Sequence, residues 1–213
     1  MTSEMRYPAL LLAILVAWTA ALGIAPHFRQ DWLLENLLVL FSIPVLVLTY
    51  RRLRFSNAAY TCLFAFFMLH EVGAHYTYSL VPYDAWGRAL LGVSVDGLLG
   101  FERNMFDRGV HLLYGVLVTP AVVELFAAKA PPVGIWRFLM PLFFMNAHAV
   151  IYETIEWLAA EAFGGELGAA YLGTQGDVFD AQKDMALAFA GTLVSLTVVL
   201  WWRARRGTRG SAG

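Results

Sequence analysis

The chain has 213 residues, 59% apolar and 15% charged, with a formal net charge of −1 and a mean hydropathy of +0.60. A soluble domain carries about 45–50% apolar and about 25% charged residues, so this composition excludes an ordinary water-soluble enzyme and points to a polytopic membrane protein. The single cysteine, Cys62, excludes an intrachain disulfide.

Six apolar runs are predicted as helices. The first, 8–25, follows Arg6 and is read as an uncleaved helix, because it outlasts a typical signal core and Pro26 follows its small residues. The second, 32–50, has Asp31, Glu35 and Asn36 at its start, a kink expected at Pro44, and a stop at Arg51-Arg52-Leu-Arg54. The third, 57–80, ends His70-Glu71-Val-Gly-Ala-His75-Tyr76-Thr-Tyr78, too polar to face lipid. A connection over 81–106 has room for a short surface helix or a re-entrant piece. The fourth, 107–128, opens Asp107-Arg108-Gly-Val-His111. The fifth, 134–163, carries Glu153 and Glu156 and stops at Gly164-Gly165. The sixth, 178–202, ends in Trp201-Trp202-Arg203, and 207–213 reads as a disordered tail. The expected fold is all-α: one integral membrane domain of about six transmembrane helices, with no internal repeat.

Six spans place both termini on one side. With the amino terminus in the cytoplasm, ten basic residues lie inside and five outside, which satisfies the positive-inside rule and places both termini in the cytoplasm. Fourteen of the sixteen acids then fall outside. Glu124 is one of the two inside, and reads as a surface residue.

That topology brings scattered ionisable residues to one outer layer. Glu71 and His75, and Asp107 and His111, are spaced i,i+4; Glu153 and Glu156 are i,i+3; Asp177, Asp180 and Asp184 share one helical face. Gly191 continues that last face and invites a close helix neighbour. Ionisable groups at membrane depth are costly and line a cavity or pair with each other. Glu71, His75, Asp107, His111, Asp180 and Asp184 are therefore candidate ligands for a divalent metal, with Zn, Mg and Mn compatible with mixed imidazole and carboxylate donors. Asp107, His111, Glu153 and Glu156 are the candidate catalytic acids and bases. Arg103, Arg108, Tyr76, Trp157 and Gln175 are candidate contacts to a substrate head group. The plainer readings stay open: acids in a first turn compensate the helix dipole, Glu153 or Glu156 pairs with Arg108 or Lys183, and each histidine alone is a packing residue. His148, about 140° from Glu153 around its helix by the 100° period, reads as packing or lipid interface.

Five motifs together resemble the bacterial YjdF-type inner-membrane family: Asp31-Trp-Leu-Leu-Glu35-Asn36, His70 to Tyr78, Arg103 to His111, Tyr152-Glu153-Thr-Ile-Glu156-Trp157, and Gly173 to Met185. The resemblance implies a small polytopic inner-membrane protein and marks these positions without supplying a reaction. The order Asp107-x-x-x-His111, Glu153-x-x-Glu156, Asp180-x-x-x-Asp184 is also similar to the pattern of VanZ-like membrane proteins, where the second member of the acidic pair is usually Gln.

Three functions fit. One is a metal-assisted hydrolase or transferase acting on a lipid or polyprenyl head group at the outer face. Another is a structural or accessory membrane protein whose cluster is a salt-bridge knot. The third is a proton- or cation-coupled transporter, disfavoured by the lack of ionisable residues in the inner halves of the helices. Membrane lipids are the expected partners, a lipid-like molecule the expected substrate, and no nucleic acid is expected.

Overall fold

The computed structural model describes residues 3–210. Among the described residues it is all-helical: α1 (Ser3–Leu22), α2 (Arg29–Thr49), α3 (Asn57–His75), α4 (Tyr83–Leu91), α5 (Val95–Leu99), α6 (Phe106–Lys129), α7 (Trp136–Phe163), α8 (Gly165–Leu172) and α9 (Asp180–Gly210). Of the expected tail, 207–210 continue α9, and 211–213 lie outside the described residues. Five helices, α1, α2, α6, α7 and α9, are long and apolar enough to cross a membrane. The sixth expected span, α3, has 19 residues and packs among them.

The helix α6 is the axis of the bundle. It packs on α3 and α9, and α7 touches both α6 and α9. α1 and α2 lie against α3, and α8 bridges α7 and α2. The α6–α9 crossing is the closest. A Cβ on Gly115 would stand 2.2 Å from the Ala188 carbonyl oxygen, and one on Gly191 would stand 2.1 Å from that of Leu112. Ser195 donates to the Val116 carbonyl at 2.8 Å across the same seam. Lipid gives no hydrophobic drive for helices to associate, so close backbone approach and interhelical hydrogen bonds must hold this pair.

α3 stops at His75, short of the predicted 80. Thr77 and Tyr78 both take left-handed conformations, with φ of 56° and 43°, a costly choice for residues with a Cβ. The compensation is local. The Tyr78 amide returns to the Gly73 carbonyl at 2.8 Å, and its ring lies over Gly73, where a Cβ would meet it at 2.6 Å. Its hydroxyl reaches His70 Nδ1 at 2.5 Å. At the other end of α3, the Glu124 carboxylate accepts from the Ser56 amide and hydroxyl at 2.7 and 2.6 Å. Glu124 thus joins α6 to the start of α3 and is no idle surface group.

The 81–106 connection forms α4 and α5. The α4 turns are amphipathic, with Trp86, Leu90 and Leu91 exposed. The Asp84 carboxylate accepts from the Asp96 amide and the Ser94 hydroxyl and pairs with Arg88, which hold it down at about 2. The Tyr83 hydroxyl donates to Asp96 at 2.5 Å and accepts from the Met105 amide at 2.9 Å. Burial and its bond to Asp96 push this phenol up to about 12, so it stays a donor. Tyr83→Phe removes both bonds. It is expected to cost the connection about 1–2 kcal/mol, read as faster limited proteolysis within 81–105 while the transmembrane fragments stay intact.

Candidate functional site

The carboxyl ends of α3 and α7 and the amino ends of α6 and α9 meet at one end of the bundle, where the ionisable residues sort into a rim and a deeper cluster. At the rim, Arg103 pairs with Asp180 at 2.8 Å and donates to the Thr174 carbonyl at 2.8 Å. Arg108 pairs with Asp177 and with Asp180, the latter at 3.1 Å. Lys183 pairs with Asp177 at 2.6 Å. Lys183, Arg108 and the Phe179 amide hold the Asp177 carboxyl well below the usual carboxylate range. The stability this knot contributes is present above the ordinary carboxyl pKa and is lost only as pH falls through that depressed value. Gln175, at φ 49°, exchanges two 3.0 Å hydrogen bonds with the backbone of Asn104. Gln175, Asp180 and much of both guanidinium groups are therefore engaged within the protein. Arg103 Nε and Nη2 and Arg108 Nε remain buried without hydrogen-bond partners.

The deeper cluster has no such cations. His111 Nε2 lies 3.5 Å from Asp107 Oδ1 and 3.6 Å from Glu153 Oε1. Asp107, His111 and Asp184 each offer a donor atom within 4.8 Å of the other two. Asp184 is 2% exposed, and its Oδ1 and Glu153 Oε1 are buried without hydrogen-bond partners. Glu156 reaches the same group through Glu153. Glu35 comes in from α2, accepting from the Tyr152 hydroxyl at 3.1 Å. Carboxyls this close, with one imidazole among them, require counter-charge from protons or a cation. The expected pairing of Glu153 or Glu156 with Arg108 or Lys183 does not form; those cations serve the rim.

One pair of these donors has the spacing of two ligands on a single ion. Two donors about 2.1 Å from one tetrahedral ion stand about 3.4 Å apart, and the Asp107–His111 separation is 3.5 Å. The expected set is smaller than the sequence suggests. Glu71 is fully buried against α1, accepting from Thr19 at 2.7 Å. His75 Nδ1 donates to the Leu22 carbonyl at 2.6 Å. Both residues share one face of α3, but that face meets α1. His70, one residue from Glu71, points the other way. Burial raises the Tyr78 phenol, so Tyr78 donates to His70 Nδ1, leaving Nε2–H for the Glu35 carbonyl at 3.2 Å. Both His70 nitrogens are thus occupied. Tyr76 meets His75 and Trp86 edge to face, and Trp157 is 55% exposed on α7. Neither lines the cluster.

Below the cluster lies a chamber of about 340 Å³ enclosed by α2, α3, α6 and α7. Its upper wall carries Asp107, His111, Tyr152, His70 and Tyr78; its lower wall is Leu, Val, Phe and Met. Tyr114 and His148, bonded at 2.9 Å, mark the change from polar to apolar. Sequence reasoning placed His148 at packing or lipid contact. Its partner Tyr114 carried no signal, since a tyrosine in an apolar run reads as core.

Residues 7–205 match the family described as Predicted membrane protein (DUF2238). The chain belongs to this family. This DUF2238 protein is 32% identical over 200 residues to the Inner membrane protein YjdF of Escherichia coli (strain K12), an alignment covering 93% of this chain and 90% of that relative. No solved structure matches. The resemblance drawn from the five motifs therefore holds along nearly the whole chain, and the protein is a multi-pass inner-membrane protein.

Proposed function

We propose that the chain is a metal-assisted hydrolase or transferase acting on the head group of a lipid or polyprenyl compound. The observation that carries this reading is the abutment of two environments: Asp107 and His111, which with Asp184 make up the donor group, line the polar end of a chamber whose other end is mainly Leu, Val, Phe and Met. Ligand sites combine an apolar cavity with a few convergent polar groups in this way. Asp107, His111 and Asp184 would hold a divalent ion, which when bound supplies Lewis acidity and charge for a phosphoryl or acyl oxygen. Glu153 would take the proton of an attacking water or hydroxyl as its oxygen bonds to the head-group phosphorus or carbonyl carbon. Glu156, beside it, would pass a proton to the departing oxygen. The three buried, unpartnered nitrogens, Nε and Nη2 of Arg103 and Nε of Arg108, would be the donors left for a head-group anion that enters at the rim.

The structural alternative is favoured by the rim itself, where Asp177 and Asp180 are neutralised by Arg103, Arg108 and Lys183. It accounts less well for the deeper acids, which make no ion pair with those cations. Transport is disfavoured by the apolar lining below Tyr114 and His148. The test is lipid profiling of cells lacking the protein and complemented with Glu153→Gln or with the parent chain. An enzyme predicts one lipid class that accumulates without the protein and is cleared only by the parent. Complementation by Glu153→Gln equal to the parent removes Glu153 from the mechanism, and no lipid difference at all removes the enzyme.

A further inference from the structure

The chamber has a shape that the proposed chemistry does not require. Its walls run on α6 from Asp107 to Val118. Eleven residues of helix at 1.5 Å each make about 16 Å, close to half of the roughly 30 Å hydrocarbon core of a bilayer. A volume of about 340 Å³ drawn out along that length suits an extended hydrocarbon chain better than a compact solute. Water gains little from such an apolar space, which stays dry unless an apolar ligand fills it.

The chamber also has a side opening. α2 and α7 meet through the Tyr152–Glu35 hydrogen bond at the polar end. Below that bond, Phe41 and Val45 of α2 are 73% and 42% exposed, and Phe144 of α7 is 42% exposed, although all three line the chamber. At this depth the exposed surface faces lipid. The floor is closed by Leu46, Leu63 and Val118, which pack on one another beside Ala59 and Ala121.

We infer that the chamber holds a single hydrocarbon chain of a membrane amphiphile, admitted sideways from the bilayer between α2 and α7 beneath the Tyr152–Glu35 bond. The chain lies along α6 in the leaflet nearest the acidic cluster and ends on Leu46, Leu63 and Val118. Its head group is thereby carried to Asp107 and His111. The occupant is one chain of a lipid, since the mouth faces lipid and the passage runs along α6 for about half the depth of a bilayer core. Val118 and Leu63 are then length-determining residues: a larger side chain there shortens the chain that fits. The inference rests on the proposed function only for what happens to the head group; the chain site stands without any catalysis.

The test reconstitutes the full chain in nanodiscs containing phospholipid with a diazirine in mid-chain, and maps photo-adducts by mass spectrometry. Adducts are expected on chamber residues such as Tyr114 and Leu63 as well as on the lipid face of α9. Val118→Trp, filling the floor, is expected to lower the chamber adducts at least fivefold and leave those at Val194 and Val198 unchanged. Ser42→Trp, at the half-buried mouth, gives the same loss without touching the floor, so a folding failure of the first variant leaves the test standing. Asp184→Ala is expected to leave the chamber adducts in place, which separates failure of the metal reading from failure of this one. Adducts confined to outward faces in the parent chain, or chamber adducts unmoved by both tryptophans, would overturn the inference.

Discussion

Asp184→Ala is expected to strip the purified protein of divalent metal, from about one equivalent to less than a tenth. Asp184 is the member of the cluster that α9 contributes, 2% exposed and with one oxygen that no donor reaches. Loss of a ligand-supporting group alone costs about 10–100-fold in metal affinity, and loss of a ligand costs more. His111→Ala is expected to act alike. Glu71→Gln supplies the contrast, because Glu71 faces Thr19 on α1; it should leave the metal content at the parent level. Elemental analysis with a chelator competition reads all three. A parent protein without metal, or one equivalent retained by Asp184→Ala, sinks the metal centre and leaves a proton-sharing carboxyl cluster as the account of the site.

The second large effect belongs to the glycines that set α6 against α9. Gly115→Ala places a Cβ 2.2 Å from the Ala188 oxygen and 2.6 Å from the Thr192 nitrogen. Gly191→Ala places one 2.1 Å from the Leu112 oxygen. All of these are backbone atoms, so no side chain can swing away and the helices themselves must part. Overpacking of this kind costs about 3 kcal/mol or more, equivalent to a fall of about 6–12 °C in Tm for a chain of this size. Gly109→Ala is the control on the same helix, with nothing within 4 Å of its Cβ. It should be neutral or gain up to about 1 kcal/mol from helix propensity. Thermal unfolding in detergent separates them, and a Gly115→Ala as stable as Gly109→Ala would show that the crossing has slack. Because Asp107 and His111 ride on α6 and Asp184 on α9, the damaging variants should also weaken metal retention.

Much of this arrangement was legible in the chain. The apolar runs mark the helices, and the charges between them set the depth of the acidic layer. The glycine at 191, along the Asp184 face, announces a close helix neighbour, though not that the neighbour is α6. The rest depends on the rotation of each helix about its own axis, which periodicity leaves free. Glu71 and His75 do share a face, yet α1 sits on that face and α6 does not. The rim pairs were foreseeable as charges but not as partners, since Arg103 and Asp180 are joined only by the fold. The reversal after His75 puts two non-glycine residues into left-handed backbone, which no local propensity announces. The chamber is a space between helices and has no sequence signature of its own.

The division between rim and deep acids has a further consequence, in the order of synthesis. Arg103, Arg108, Asp107 and His111 emerge from the ribosome well before Asp177, Asp180 and Asp184. Until α9 is made, two guanidinium groups and a carboxylate–imidazole pair sit at the mouth of the bundle without the groups that balance them. α9 therefore brings the countercharge for the rim and the last donor for the cluster in one insertion event. The rim ion pairs and the deeper acidic group are therefore completed together, when α9 packs against α6.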